Sequence, residues 1–273
     1  MKTLYLSDLD GTLLRSNERI SDFTIDTINK FVSNGGCFSY ATARSFVTAS
    51  QVTAGLSLDI PVVCYNGGFI FQRGEILLGQ YFSSLEKEDI SGALAGLGFL
   101  PIVYAFIDGV EYFSFIERDV SAGMRHFLDA RLGDARRREV GSPQELWLGD
   151  VFYITCISTE KRLAPVHEVF KDDRRVNCIF HQDIYSTAWW CEILPVRATK
   201  AVAALELKRL LGCDKLVVFG DGINDVTLFS VADESYAMAN AVEELKAMAT
   251  GVIGSNDEDG VAHKISKREA RFV

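Results

Sequence analysis

Basic charge is in deficit in this sequence. Lys and Arg number 28 against 37 Asp and Glu, a formal net charge of −9. That balance argues against non-specific binding to nucleic acid or to an anionic membrane surface. Long apolar runs are missing too, since none approaches the ~20 residues needed to span a bilayer. The opening stretch meets a carboxylate at Asp8, too early for a secretion signal, so a cytoplasmic protein is expected. Histidine is scarce, and His126, His167, His181 and His263 have no metal-ligand spacing. Among the six cysteines, Cys37, Cys64, Cys156, Cys178, Cys191 and Cys213, there is no C-x-x-C pair. A disulfide framework and a structural zinc site are thereby disfavoured, and reduced cysteines in core positions are expected. Internal repeats and low-complexity stretches are also absent.

What is present is an ordinary globular composition: 273 residues, 48% hydrophobic and 24% charged. The first third alternates short apolar runs with helical periodicity. Residues 3–7 read as a buried strand. Ser21 is placed to cap a helix whose apolar face is Ile25, Ile28, Phe31 and Val32, ended by Gly35-Gly36. Residues 37–41 and 61–65 read as further strands, with a helix from about Ser45 between them. Strand–helix alternation of this kind predicts a parallel sheet wrapped by helices. A hairpin is expected around Gln72-Arg73-Gly74-Glu75. From about 82 to 189 the texture changes to aromatic-rich strands separated by turns, which predicts an inserted α+β domain on an antiparallel sheet. The α/β pattern resumes near 190. Helices are expected at 200–211, 224–231 and 242–249 and from about Asp259, with strands at 215–219 and 236–238. The expected organisation is a core of 1–81 and 190–273 interrupted by a second domain at 82–189.

Four short stretches carry chemistry. Asp8-Leu9-Asp10-Gly11-Thr12 falls where the first strand runs out, the place where ligands bind in open parallel sheets. Asp8 and Asp10 would share one side of an extended segment, and carboxylates that close repel unless a cation or a shared proton intervenes. Alone, the string reads equally as an acidic turn closed by Gly11. Gly220-Asp221-Gly222-Ile223-Asn224-Asp225 follows another short strand and opens a helix. Its two acids would join the first pair around a hard, oxygen-ligated ion such as Mg2+, or would simply form the acidic first turn of a capped helix. Ala41-Thr42-Ala43-Arg44 offers a hydroxyl and backbone N–H groups at a strand-to-helix turn, suited to a phosphate oxygen. Lys200 opens a helix, where it can balance acids and bind phosphate.

Taken in order, these stretches resemble the haloacid dehalogenase superfamily in its phosphatase branch. The insertion between Thr42 and Lys200 resembles the α/β cap (C2B type) of the Cof-type subgroup, subclass IIB. Asn66-Gly67-Gly68, Ala239-Asn240-Ala241 and Asp257-Glu258-Asp259-Gly260-Val261-Ala262 resemble further signatures of that subgroup. Ala43 stands where the subgroup usually has glycine. The resemblance implies an α/β fold with a Rossmann-like parallel-sheet core and an inserted α+β cap that closes over the site and sets specificity. It also implies a Mg2+-dependent phosphatase of small phosphorylated metabolites, sugar phosphates among them. Asp8 is then the nucleophile that becomes an aspartyl-phosphate, and Asp10 the general acid and base. The metal is expected at Asp8, the Asp10 carbonyl and Asp221, with Asp225 supporting it. Thr42, Lys200, Asn224 and the N–H groups of Leu9 and Ala43 are expected to hold phosphoryl oxygens. Three readings compete. A phosphotransferase or mutase would pass the phosphoryl group to a second sugar. A receiver-type phospho-accepting module lacks Asp10 and is about half this length. A non-catalytic metabolite-binding protein would not need all of these groups.

Overall fold

The computed structural model describes residues 1–57, 59–183 and 186–269. It divides into two compact units, Met1–Gly79 with Ala198–Val273, and Gln80–Arg197. The last four positions of the expected core segment, 270–273, lie outside the described residues.

In the first unit a five-stranded sheet runs in the order Gly251–Ile253, Glu234–Met238, Lys215–Gly220, Thr3–Ser7, Cys37–Tyr40, every neighbouring pair parallel. The central strands are near-continuous apolar runs. Leu4, Leu6, Leu216, Val217, Val218 and Phe219 are all fully buried, as strands covered on both faces must be. The expected helix after Ser21 is Asp22–Ser33, and the Ser21 hydroxyl caps it by accepting from the Thr24 N–H at 3.0 Å. Its buried side comprises Thr24, Thr27 and Ile28. Ile25, Phe31 and Val32 of the expected apolar face are half-buried beside them, with Phe31 edge-on to Tyr5, and the Thr24 hydroxyl is accommodated by donating to Asp259. The hairpin pairs Phe69–Gln72 with Glu75–Gly79, and Val62–Cys64 joins it as a third strand. The helix expected at 224–231 is split into a tight turn, Ile223–Asp225, and a short helix, Val226–Ser230. The Asp225 carboxylate causes the split by folding back onto the N–H groups of Asp221 and Gly222.

The second unit carries a six-stranded sheet ordered Val176–Gln182, Trp189–Pro195, Asp150–Ser158, Ile102–Ile107, Val110–Phe115, Arg137–Glu139. It is antiparallel except for the last pair, which is parallel. This unit runs to Arg197 rather than ending at 189, because Trp189–Pro195 is hydrogen-bonded on both sides into its sheet. Helices Ser84–Gly96 and Glu160–Phe170 supply Ile90, Leu94, Leu163, Val166 and Phe170 to a core with Val103, Ile154, Cys191 and Ile193. Many of its aromatics pack on one another: the Phe127 ring meets those of Phe113 and Trp190 edge-on at 6.1 and 5.6 Å. The cysteines are unbridged, and the sulfurs of Cys37 and Cys213, 3.8 Å apart, lie well beyond the ~2.05 Å of a disulfide bond.

Candidate active site

Parallel strands that all run the same way deliver their following turns to one edge of the sheet. Asp8 follows Thr3–Ser7, Thr42 follows Cys37–Tyr40, Asp221 follows Lys215–Gly220 and Asn240 follows Glu234–Met238. All of these residues belong to the first unit.

The centre of the site is Lys200, the first residue of helix Lys200–Leu210, whose ammonium is fully buried. It lies 2.8 Å from Asp8 Oδ1 and 2.7 Å from Asp225 Oδ1. Burial disfavours the ammonium, yet the two carboxylates hold it above its ordinary value. The electrostatic tension falls on the acids. Burial and then the Asp225 charge lift the Asp8 carboxyl well above the usual carboxylate range, against the pull of Lys200. The same two causes push Asp221 up to about 7.

Each acid is held differently. Asp8 Oδ1 also accepts the Leu9 N–H at 2.7 Å, while Asp8 Oδ2 accepts no hydrogen bond from the described residues. The Leu9 N–H expected to face phosphate is therefore engaged by Asp8 itself. Asp221 Oδ1 accepts the Thr12 hydroxyl at 2.6 Å, and a Cβ at Gly11 would collide with Asp221 Oδ2. Gly11, at φ +71°, is thus required on two counts, by its left-handed backbone and by close approach of the acid. Asp225 is fully buried and committed at both oxygens, Oδ1 to Lys200 and Oδ2 to the Asp221 and Gly222 N–H groups at 3.0 and 3.1 Å. One carboxylate oxygen from each of Asp8, Asp221 and Asp225 lies within 4.8 Å of the others.

Asp10 stands apart from this cluster. Its two oxygens accept the Nε and Nη2 of Arg44 at 2.8 and 2.5 Å, and Arg44 also reaches Glu18 at 2.9 Å. Such a fork fixes the orientation of the carboxylate. The buried Thr42 hydroxyl accepts the Arg44 N–H at 3.1 Å and donates to no described residue. The Ala43 N–H likewise has no acceptor among the described residues. Asn224 donates its amide to Asn66 Oδ1 at 3.1 Å.

Several residues that brace the site had no role in the sequence reading. Arg44 and Thr12 are two. Asn240 and Asn256 are two more: Asn240 donates to the Gly11 carbonyl at 2.8 Å, and Asn256 to that of Leu14 at 2.9 Å. Thr12, Arg44 and Asn240 stand inside the quoted motifs and Asn256 just before one, but spacing alone does not say what they touch.

A family model described as haloacid dehalogenase-like hydrolase matches residues 5–265. A 5-amino-6-(5-phospho-D-ribitylamino)uracil phosphatase of Bacillus subtilis is 26% identical, over 93% of this chain and 93% of its own length. A second Bacillus subtilis protein of that description is 27% identical, over 95% of this chain and 96% of its own. Among solved structures, a haloacid dehalogenase-like hydrolase from B. subtilis shares the fold with a TM-score of 0.79, covering 97% of this chain and 99% of that one at 22% identity. With nearly the whole chain matched, the protein belongs to the haloacid dehalogenase-like hydrolases, among relatives named as phosphatases.

Proposed function

We propose that the protein is a Mg2+-dependent phosphatase of small phosphorylated metabolites, with the first unit as catalytic core, the second as the specificity-setting cap and Asp8 as nucleophile. One observation carries this reading. Asp8 closes the first strand beside a fully buried lysine, with one oxygen anchored and the other accepting no hydrogen bond from the described residues. An anchored carboxylate with one free oxygen is oriented for in-line attack on phosphorus. Asp8 Oδ2 forms the new P–O bond as the ester P–O bond breaks, and Asp10, once protonated and released from the Arg44 fork, gives its proton to the departing alkoxide. Asp10 then takes a proton from the water that attacks the aspartyl-phosphate, which releases inorganic phosphate and restores Asp8. Lys200, the free hydroxyl proton of Thr42, the Ala43 N–H and the second amide proton of Asn224 are suited to hold the phosphoryl oxygens.

The donor set also fits a divalent cation. Three clustered carboxylates share one buried lysine, which contacts Asp8 and Asp225, leaving an excess of negative charge that one hard, oxygen-seeking ion would offset. Asp8, the Asp10 carbonyl and Asp221 would hold it, and the saturated Asp225 fits a positioning role. When bound, the ion shields Asp8 from the anionic phosphate and neutralises charge on the transferring group.

The deciding experiment is a panel of phosphate monoesters with Mg2+, including the compound named for the Bacillus relatives, 5-amino-6-(5-phospho-D-ribitylamino)uracil. Hydrolysis of at least one is expected, lost in EDTA and restored by excess Mg2+; metal-independent turnover would refute the ion's role. A second expectation concerns stability. Asp221 sits at about 7 when folded against an ordinary 3.8, so the folded chain retains a proton that the unfolded chain releases. Without metal, stability should fall as pH rises from about 4 to about 7. Mg2+ should therefore raise Tm more near pH 8 than near pH 5, and an equal rise at both would count against Asp221 as a ligand. A third concerns Asp10. Asp10→Asn should slow an alkyl phosphate by about 10²–10⁴-fold, and an activated aryl phosphate far less, since its leaving group needs no proton. Equal losses would remove Asp10 from the acid role.

A further inference from the structure

Immediately after strand Val62–Cys64, three successive residues adopt positive φ: Tyr65 at +53°, Asn66 at +52° and Gly67 at +95°. Two adjacent non-glycine residues in the left-handed region are sterically unfavourable, and all three residues are buried. Backbone strain of this kind persists where the surroundings over-determine it, and it gathers at functional sites.

The surroundings here are the proposed phosphoryl contacts. The Tyr65 N–H donates to the Arg44 carbonyl at 3.0 Å, and the Asn66 N–H to the Thr42 carbonyl at 2.9 Å. Asn66 Oδ1 accepts the Asn224 amide at 3.1 Å. A Cβ at Gly67 would run into the Thr199 carbonyl and lie 2.8 Å from the Lys200 nitrogen. A single strained turn thus touches the 42–44 turn, the start of the Lys200 helix and Asn224.

Asn224 depends on that turn most. It sits in the short Ile223–Asp225 turn beside the exposed Ile223, and Asn66 holds its side-chain amide. An amide has two protons in one plane, so fixing one on Asn66 fixes the direction of the other. We propose that Asn66 is a positioning residue for phosphoryl transfer, which orients Asn224 through its side-chain carbonyl while its strained backbone sets Thr42 at a fixed spacing. The proposal rests on the reading of Asn224 and Thr42 as phosphoryl contacts.

Asn66→Gly tests it, because glycine accepts the left-handed backbone while the side-chain amide, with the carbonyl that holds Asn224, is lost. On a phosphate monoester turned over by the wild type, kcat/KM should fall about tenfold, as for one lost oriented hydrogen bond. The inhibition constant of inorganic phosphate should rise by a similar factor, measured well below the variant's Tm. Placed on Asn224→Ala, the same change should have less than about a twofold effect, since the group it orients is gone. Wild-type kinetics in Asn66→Gly would overturn the proposal. So would an undiminished effect on the Asn224→Ala background, or an Asn224→Ala enzyme indistinguishable from wild type. Failure of the underlying phosphatase reading shows separately, as a wild type inert on every phosphate monoester or as activity that survives loss of the Asp8 carboxylate.

Discussion

Asp8→Asn is expected to abolish phosphate-ester turnover and, at the same time, to raise the melting temperature. The loss of activity follows from the chemistry: a neutral amide cannot open an aspartyl-phosphate pathway, and removing a nucleophile of this kind costs about 10⁴-fold or more in kcat. The gain in stability follows from the environment. Burial and the neighbouring Asp225 disfavour the Asp8 anion in the fold, so above the ordinary carboxylate range the ionised group destabilises the folded chain relative to the unfolded one. Asparagine keeps an oxygen that can accept from Lys200 and from the Leu9 N–H, and it removes one of three crowded negative charges. A site built for reaction is electrostatically strained, and relieving the strain trades function for stability. Steady-state kinetics and a thermal melt in metal-free buffer near pH 8 check both halves. Activity within about tenfold of wild type would sink the nucleophile assignment. A lowered Tm would show that Asp8 is held in place by attraction to Lys200 more than it is stressed by its fellow acids.

The parts of this protein legible in its sequence are those governed by local rules. Apolar runs ending in Asp8, Thr42 and Asp221 announce strand ends, and parallel topology then brings strand ends together without any knowledge of side-chain contacts. Ser21 and Ser45 announce helix starts because a hydroxyl at the N-cap is a local device. What stayed hidden was decided by partners far away in the chain. Asn66 and Asn224 are 158 positions apart, and Asn240 and Gly11 are 229 apart, so no spacing rule pairs them. The Arg44 fork on Asp10 belongs to the same class. Gly251–Ile253 does not read as a strand, because three residues give no periodicity, and its strand character comes from pairing with Glu234–Met238. The boundary expected at 190 cuts through the strand Trp189–Pro195 for a related reason. A run of buried residues looks the same whichever sheet receives it, and only its neighbours Val176–Gln182 and Asp150–Ser158 decide.

Lys200→Met should show how far the buried charges hold the fold together. Methionine matches the length of the lysine stem and leaves the core filled, so the change isolates the ammonium. Asp8 and Asp225 then face each other without the cation that lies within 2.8 Å of both. Breaking a buried ion pair by removing one partner costs about 3–5 kcal/mol, or a Tm drop of roughly 10 °C for a protein of this size. The deficit should depend on pH with a definite sign. Asp8 and Asp221 already retain protons in the fold above their ordinary range, Asp221 to about 7, and loss of Lys200 lifts them further. Acidifying from about pH 7 toward about pH 4 protonates the folded acids before the unfolded ones, so the variant should recover stability relative to wild type. Adding Asp225→Asn to Lys200→Met should restore part of the lost Tm and none of the activity, because Asp8 would then be relieved of the like charge that acts on it most strongly but still lack its anchor. A Lys200→Met protein as stable as wild type near pH 8 would mean that the acids are already neutral in the fold. In that event the case for a divalent ion between them would lose its electrostatic basis.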